Sequence, residues 1–405
     1  MTEQRITRPL EKITVRTDTR DILAHAKRDA VRRKFDDWLI FDMDSHHQES
    51  VSWNEIVQFI EDPVVREQAM NYHNERVGAP PYGLNANFGM RYQDVGGRIL
   101  HQADRREDVS GETVHRDVVL ARRAMEAMSV DYTILFPVSM LLLGTHPQAH
   151  MEVQLGDAYN RWLTEYLIPQ DSRLKTLIYL PFNSPDAAYR TAEKFADKPG
   201  VIGFCVTSIR HAGVHENAYM PLYRLIEETG KPIAFHAAYH WTDPSLKTIP
   251  TFLGMHSLSF VWCNMVHMTN WILQGIPERF PALKSIWVES GLAWIPFLMQ
   301  RLDDQYMMRQ SEAPLLKRMP SDYMRENCWY SSQPMERGNL EALELTMKMI
   351  NAETQLLYSS DWPHFDFDTP GSIFNLPFVS EQAKRNILGL NAARLFGLPE
   401  TRPEP

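Results

Sequence analysis

Eight short apolar runs, most of them followed by an amphipathic helical pattern, constrain this chain more than any other feature. They lie at residues 38–42, 131–136, 174–180, 201–206, 232–235, 283–288, 328–331 and 356–359. Their shortness and their β-branched and aromatic content predict buried strands. Pro137 and Pro181 stop two of them. Helix signals fill the gaps. Ser184 is a candidate N-cap for a helix over 185–195 with Asp186 in its first turn, and a second helix over 216–229 ends at Gly230. Strand-helix alternation predicts a parallel sheet, and a count of eight favours a closed (β/α)8 TIM barrel of the α/β class over an open sheet.

The barrel is expected over 37–398, with an N-terminal arm at 1–36 and a C-terminal tail at 399–405. Residues 50 to about 120 are long for one strand-to-helix connection and carry the turn signals Gly78-Ala-Pro-Pro-Tyr-Gly83 and Gly96-Gly97. Loops after barrel strands lie on the active-site face, so this insertion reads as a lid or pocket wall, or else as an oligomer contact.

Composition excludes several partners. The 42 Lys+Arg against 51 Asp+Glu give a net charge of −9, which argues against nucleic acid or an anionic membrane surface. Cys205, Cys263 and Cys328 are scattered and odd in number, which excludes a disulfide scaffold and a cysteine-rich zinc module. The first 35 residues hold no apolar signal core, and the most hydrophobic stretch, 132–144, is too short to span a bilayer. A cytoplasmic enzyme acting on a small molecule is the expectation.

In such a barrel the chemistry sits at the C-terminal strand ends. Those ends read Asp42-Met-Asp44-Ser-His46-His47-Gln-Glu49, Thr207-Ser208-Ile-Arg210, Phe235-His236-Ala-Ala-Tyr-His240, Val288-Glu289-Ser-Gly291 and Ser360-Asp361-Trp-Pro-His364. Imidazole and carboxylate converging from several strands suit a divalent transition metal. Asp44 and His46 are two apart and so share one face of a strand.

Phe41-Asp-Met-Asp-Ser-His46, Phe235-His236, Glu289-Ser-Gly-x-x-Trp294-x-Pro296-x-x-x-x-Arg301-Leu-Asp303 and Ser360-Asp361-Trp-Pro-His364 resemble the amidohydrolase-related family. This branch of the amidohydrolase superfamily contains aminocarboxymuconate semialdehyde decarboxylase and the resorcylate-type decarboxylases. Ala158-Tyr-Asn-Arg-Trp162, Phe280-Pro-Ala-Leu-Lys284 and Asn391-Ala-Ala-Arg-Leu-Phe-Gly397 support the match. The resemblance implies metal ligands at Asp44, His46, His236 and Asp361, and a homodimer. Its decarboxylases usually carry histidine at the end of strand six, where this chain has Glu289. The superfamily's strand-four lysine is also absent, since Val206-Thr-Ser208 stands there.

Glu289 can be a general base, a further metal ligand bridging two ions, or a structural carboxylate paired with Arg301 or capping the following turn. Catalytic candidates are Glu289, Asp361 and His240. Substrate-binding candidates are Arg210, His267, Trp294 and His364. Arg210 could grip a carboxylate or make a surface salt bridge. His267 lies in an apolar helical segment where a core histidine is the default, and His364 could instead orient Asp361. The leading expectation is a hydrolase, with decarboxylation second, acting on a small cyclic or aromatic carboxylate with one zinc or manganese. The alternative is a dinuclear iron oxygenase that would also use Glu49 and a further histidine.

Overall fold

A computed structural model describes residues 19–71, 109–210, 212–239 and 243–403. The eight apolar runs form the parallel strands β1 (Phe41–His46), β2 (Tyr132–Phe136), β3 (Leu174–Tyr179), β4 (Val201–Thr207), β5 (Ile233–His236), β6 (Ser285–Val288), β7 (Cys328–Ser331) and β8 (Leu356–Leu357). They pair in chain order, β1 to β8. The ring closes where Met43 N–H donates to the Tyr358 carbonyl at 2.9 Å and Asp361 N–H to the Asp44 carbonyl at 2.7 Å. The fold is a (β/α)8 barrel.

The longer helices are α1 (Thr19–Arg33), α2 (Arg116–Met128), α3 (Ala149–Trp162), α4 (Pro185–Phe195), α5 (Met220–Thr229), α6 (Phe252–Leu273), α7 (Trp294–Met308) and α8 (Leu340–Met349). Helix α4 has the bounds read from sequence. Ser184 sits at its N-cap position but makes no side-chain cap bond. Gly230 ends α5 in the left-handed conformation, with φ 70°. Two expectations shift. Residues 19–33 are not a free arm, because Ile22, Leu23, Ala26 and Ala30 of α1 join the main core. The tail is anchored by Arg402, whose Nε donates to Asp131 Oδ1 at 2.8 Å. Most of the insertion, residues 72–108, lies outside the described residues.

The first strand is displaced from its apolar run and the last keeps only half of its run, and side chains explain both. Ile40 N–H bonds the Asp131 carboxylate at 2.9 Å, so β1 begins only at Phe41. After Leu357 the ladder gives way to side-chain acceptors. Ser359 N–H donates to Ser332 Oγ at 3.0 Å and Ser360 N–H to Asp42 Oδ1 at 2.8 Å. Register also shifts in β1, where Asp42 pairs with Thr133 but Ser45 pairs with Leu135. Three residues stand against two, which is a bulge. Phe41 and Met43 belong to the cluster inside the barrel with Ile134, Phe136, Ala234 and Val288. Strict alternation from Met43 would then turn Ser45 inward. The bulge turns Asp44 and His46 inward instead.

Asp42 faces the other way and clasps β8. Its carboxylate accepts Ser360 N–H at 2.8 Å, Ser360 Oγ–H at 2.5 Å and Asp44 N–H at 3.2 Å. Burial pushes its pKa up to about 7 against these bonds. Asp42→Ala strands three buried donors and is expected to cost on the order of 3 kcal/mol of stability. A thermal melt reads this, and an unchanged midpoint would remove the clasp from the account of barrel closure.

Candidate metal centre

Five titratable residues meet inside the top of the barrel, from β1, the end of β5, and the turns after β6 and β8. Asp44, His46, His236, Glu289 and Asp361 are all at most 3% exposed. His46 Nε2 lies 3.3 Å from Asp44 Oδ1 and 3.2 Å from Asp361 Oδ1. His236 Nε2 is 3.3 Å from Asp44 Oδ1, and its Nδ1 is 3.5 Å from Glu289 Oε2. Ligand atoms of Asp44, His46, His236 and Glu289 lie within 4.8 Å of one another, as do those of His46, Asp361 and His364.

The donor chemistry fits a cation. Asp44 Oδ2, Glu289 Oε1 and Asp361 Oδ2 are buried without a hydrogen-bond partner. These are acceptors only when ionised, and burying them together is costly unless positive charge joins them. Each imidazole has its Nδ1 beside a backbone carbonyl, Pro137 for His46 at 3.0 Å and Ala237 for His236 at 2.8 Å. That bond fixes the ring and presents Nε2 inward, the usual device of a metal-bound histidine.

Electrostatics agree. Burial alone would lower the His46 pKa, but bonds to Asp361 and Asp44 overcome it and raise it to about 10. Burial would raise Asp44, yet His236 and His46 hold it well below the carboxylate range. A proton on His46 thus occupies the place of positive charge that a metal would take over. Burial, then the charges of Asp361, Asp44 and Asp366, push Glu289 well above its ordinary value. Glu289 and Asp361 share a backbone feature too, with φ 55° and 59° in the left-handed region.

Other candidates divide. His364 Nδ1 lies 2.6 Å from Asp361 Oδ1, in position to orient that carboxylate. Burial, with the charge of His46 next to it, pulls its pKa well below the usual value. Arg301 is exposed on α7, and no Glu289–Arg301 ion pair occurs among the described residues. Arg210 is neither on the surface nor gripping from the mouth. Its Nη1 donates to the Thr207 carbonyl at 2.8 Å and its Nε to the Ala212 carbonyl at 3.0 Å. Its guanidinium lies 4.4 Å over Phe182 and 5.8 Å from Phe235, whose ring stacks on Trp287 in the layer between sheet and helices.

His267 is the core histidine, its Nε2 2.5 Å from the Ser208 carbonyl. Trp294 donates Nε1–H to the Gly291 carbonyl and packs in the main core. His240 lies outside the described residues. Glu49 and His47 do not join the cluster. The Glu49 carboxylate takes the Val138 and Met140 N–H groups at 2.9 and 2.7 Å. His47 is held between Asp117 and Tyr159 at 3.2 and 2.7 Å. Reading the sequence missed Asp42, Ser331, whose hydroxyl accepts Glu289 N–H at 2.9 Å, and Asn264. The available signal for Asn264 was one amide inside the apolar run Phe260-Val-Trp-Cys-Asn-Met-Val.

A closed parallel barrel with imidazole and carboxylate gathered at its strand ends defines a metal-dependent hydrolase or lyase of TIM-barrel type. The profile of the Amidohydrolase family matches residues 124–398, and the chain belongs to that family, as an enzyme of the amidohydrolase superfamily. Gamma-resorcylate decarboxylase of Rhizobium sp. (strain MTP-10005) is 23% identical over 291 residues, 68% of this chain and 86% of that protein. Among solved structures, 5-carboxyvanillate decarboxylase LigW of Sphingomonas paucimobilis superposes with TM-score 0.63 at 20% identity, covering 89% of this chain and all of that one. Dihydroxybenzoic acid decarboxylase of Polaromonas sp. JS666, solved with manganese and the inhibitor 2-nitroresorcinol, gives 0.62 at 18% identity, covering 89% and 97%. No described helix is long and apolar enough to cross a membrane.

Proposed function

We propose that this chain is a metal-dependent, non-oxidative decarboxylase of a small aromatic carboxylate. The observation that carries the proposal is the buried convergence of Asp44, His46, His236, Glu289 and Asp361. The sequence alone ranked hydrolysis first. The decarboxylase names of the relatives turn that order, and Glu289 then takes the place where the resembling decarboxylases keep histidine.

In this reading Asp44, His46, His236 and Asp361 would hold one divalent cation, manganese or zinc. That cation would supply Lewis acidity toward the substrate's oxygens. His364 keeps Asp361 in one orientation through the 2.6 Å bond. The Phe136 ring, 4.6 Å from the His236 ring, makes that side of the site apolar. Glu289 delivers a proton to the ring carbon that bears the carboxylate. The carbon–carbon bond then breaks, its electron pair returns to the ring, carbon dioxide leaves and Glu289 is left ionised. A homodimer belongs to the same proposal.

A second reading rests on the overlap of the two clusters at Asp361: with that carboxylate, which has two oxygens, His364 would offer ligand atoms for a second ion. Two irons there would make an oxygenase. Metal analysis of protein purified without added metal separates the two. About one manganese or zinc per chain, with chelation abolishing carbon dioxide release from hydroxybenzoates and manganese restoring it, is the expected result. About two irons per chain, with oxygen consumed on adding reductant, would overturn it.

A further inference from the structure

Helix α6 has the most apolar sequence of the eight longer helices, yet its inner face carries a row of polar side chains aimed at strand ends. Ser259 Oγ–H donates to the Ala238 carbonyl at 3.2 Å, and His267 Nε2 lies 2.5 Å from the Ser208 carbonyl. Between them Asn264 is fully buried. Its Nδ2 lies 3.4 Å from the Phe235 carbonyl, 3.2 Å from the Val288 carbonyl and 3.0 Å from Ser290 Oγ. Ser208 Oγ–H donates to its Oδ1. Backbone carbonyls can only accept, so two of them on one side of the amide fix which end is nitrogen.

The identities of these partners matter more than their number. Phe235 directly precedes His236. Val288 and Ser290 flank Glu289. Ser208 follows β4, and its N–H bonds the His236 carbonyl at 2.8 Å. One side chain therefore ties together the ends of β4, β5 and β6, where two of the five site residues stand.

We propose that Asn264 is a positioning residue of the metal centre, acting through His236 and Glu289 by holding the ends of β5 and β6 at fixed separation. His236 Nδ1 and Glu289 Oε2 are 3.5 Å apart across that gap. Without the amide, the Val288 carbonyl keeps the Ala237 N–H at 3.2 Å, but both carbonyls lose the donor they share, and the strand ends that present the imidazole and the carboxylate lose their side-chain tie to β4 and α6. This inference rests on the proposed metal site.

The test is manganese and zinc titration of the metal-stripped full chain, read by calorimetry beside a thermal melt. Wild type must bind manganese or zinc for the metal proposal to stand, and its failure to bind either would overturn that proposal, and this inference with it. Given wild-type binding, Asn264→Ala is expected to weaken manganese affinity by about 10-fold, the low end of the loss for a group bonded directly to a metal-binding histidine, because Asn264 acts one residue removed from His236. Ser208→Ala, which leaves the amide in place but removes the donor that orients it, is expected to weaken affinity by a smaller factor of about 3. Leu155→Ala on the distant helix α3 serves as a control, with a lowered melting temperature and unchanged affinity. If Asn264→Ala does not fold, the Ser208→Ala ratio decides. Affinity within twofold of wild type in the folded variants, with only the melting temperature lowered, would overturn the positioning role.

Discussion

His236→Ala is expected to yield a folded protein that no longer retains manganese. His236 is fully buried, its Nδ1 lies against the Ala237 carbonyl, and its Nε2 is 3.3 Å from Asp44 Oδ1. Removing it takes away one of two inward imidazoles, and with it a nitrogen donor to the cation that Asp44 and Asp361 would share. The loss of affinity should exceed the roughly 100-fold that deletion of an outer partner alone can produce. The β5 ladder does not depend on this side chain, because its bonds are made by backbone groups. Elemental analysis after gel filtration checks the result. Metal content equal to wild type would take His236 out of the ligand set.

Glu289→Gln should abolish turnover and spare the metal. Glutamine matches glutamate in size and still offers an acceptor, so it preserves packing against His236 but carries no transferable proton. Burial and the neighbouring carboxylates hold the Glu289 carboxyl well above its ordinary range. Loss of a positioned acid typically costs about 10²–10⁴-fold in rate. Steady-state kinetics together with metal analysis reads both halves. Loss of a metal equivalent in this variant would identify Glu289 as a ligand instead.

The architecture was legible because strand residues buried on both faces are written as continuous apolar runs, which survive any error in their ends. Run 328–331 became β7 with both bounds intact. Run 356–359 became a strand of only two residues, since the Asp42 carboxylate and the Ser332 hydroxyl replace ladder partners that no local pattern encodes. The Asp44-x-His46 spacing said that two side chains share a face, but not which face. The bulge between Asp42 and Ser45 decides that, and it arises from pairing with β2, about 90 residues along the chain.

Arg210 misled for a related reason. A strand-end position guarantees nearness to the mouth, whereas the two backbone carbonyls it binds, Thr207 at the end of β4 and Ala212 in the loop after it, turn the side chain behind the wall. Within the arm expected at 1–36, residues 19–33 pack on the core, because α1 gains its core face from long-range packing, chiefly against α2.

The left-handed backbone at Glu289 and Asp361 sets stability against function. A residue with a Cβ held at φ 55° or 59° costs roughly 1–2 kcal/mol relative to an unstrained one. Glycine would relieve that cost and at the same stroke remove a buried carboxylate from a crowded cluster. Directed evolution of this chain for heat resistance alone would therefore be rewarded for erasing its own chemistry at positions 289 and 361. A library screened for robustness needs a counter-selection on activity at those two codons.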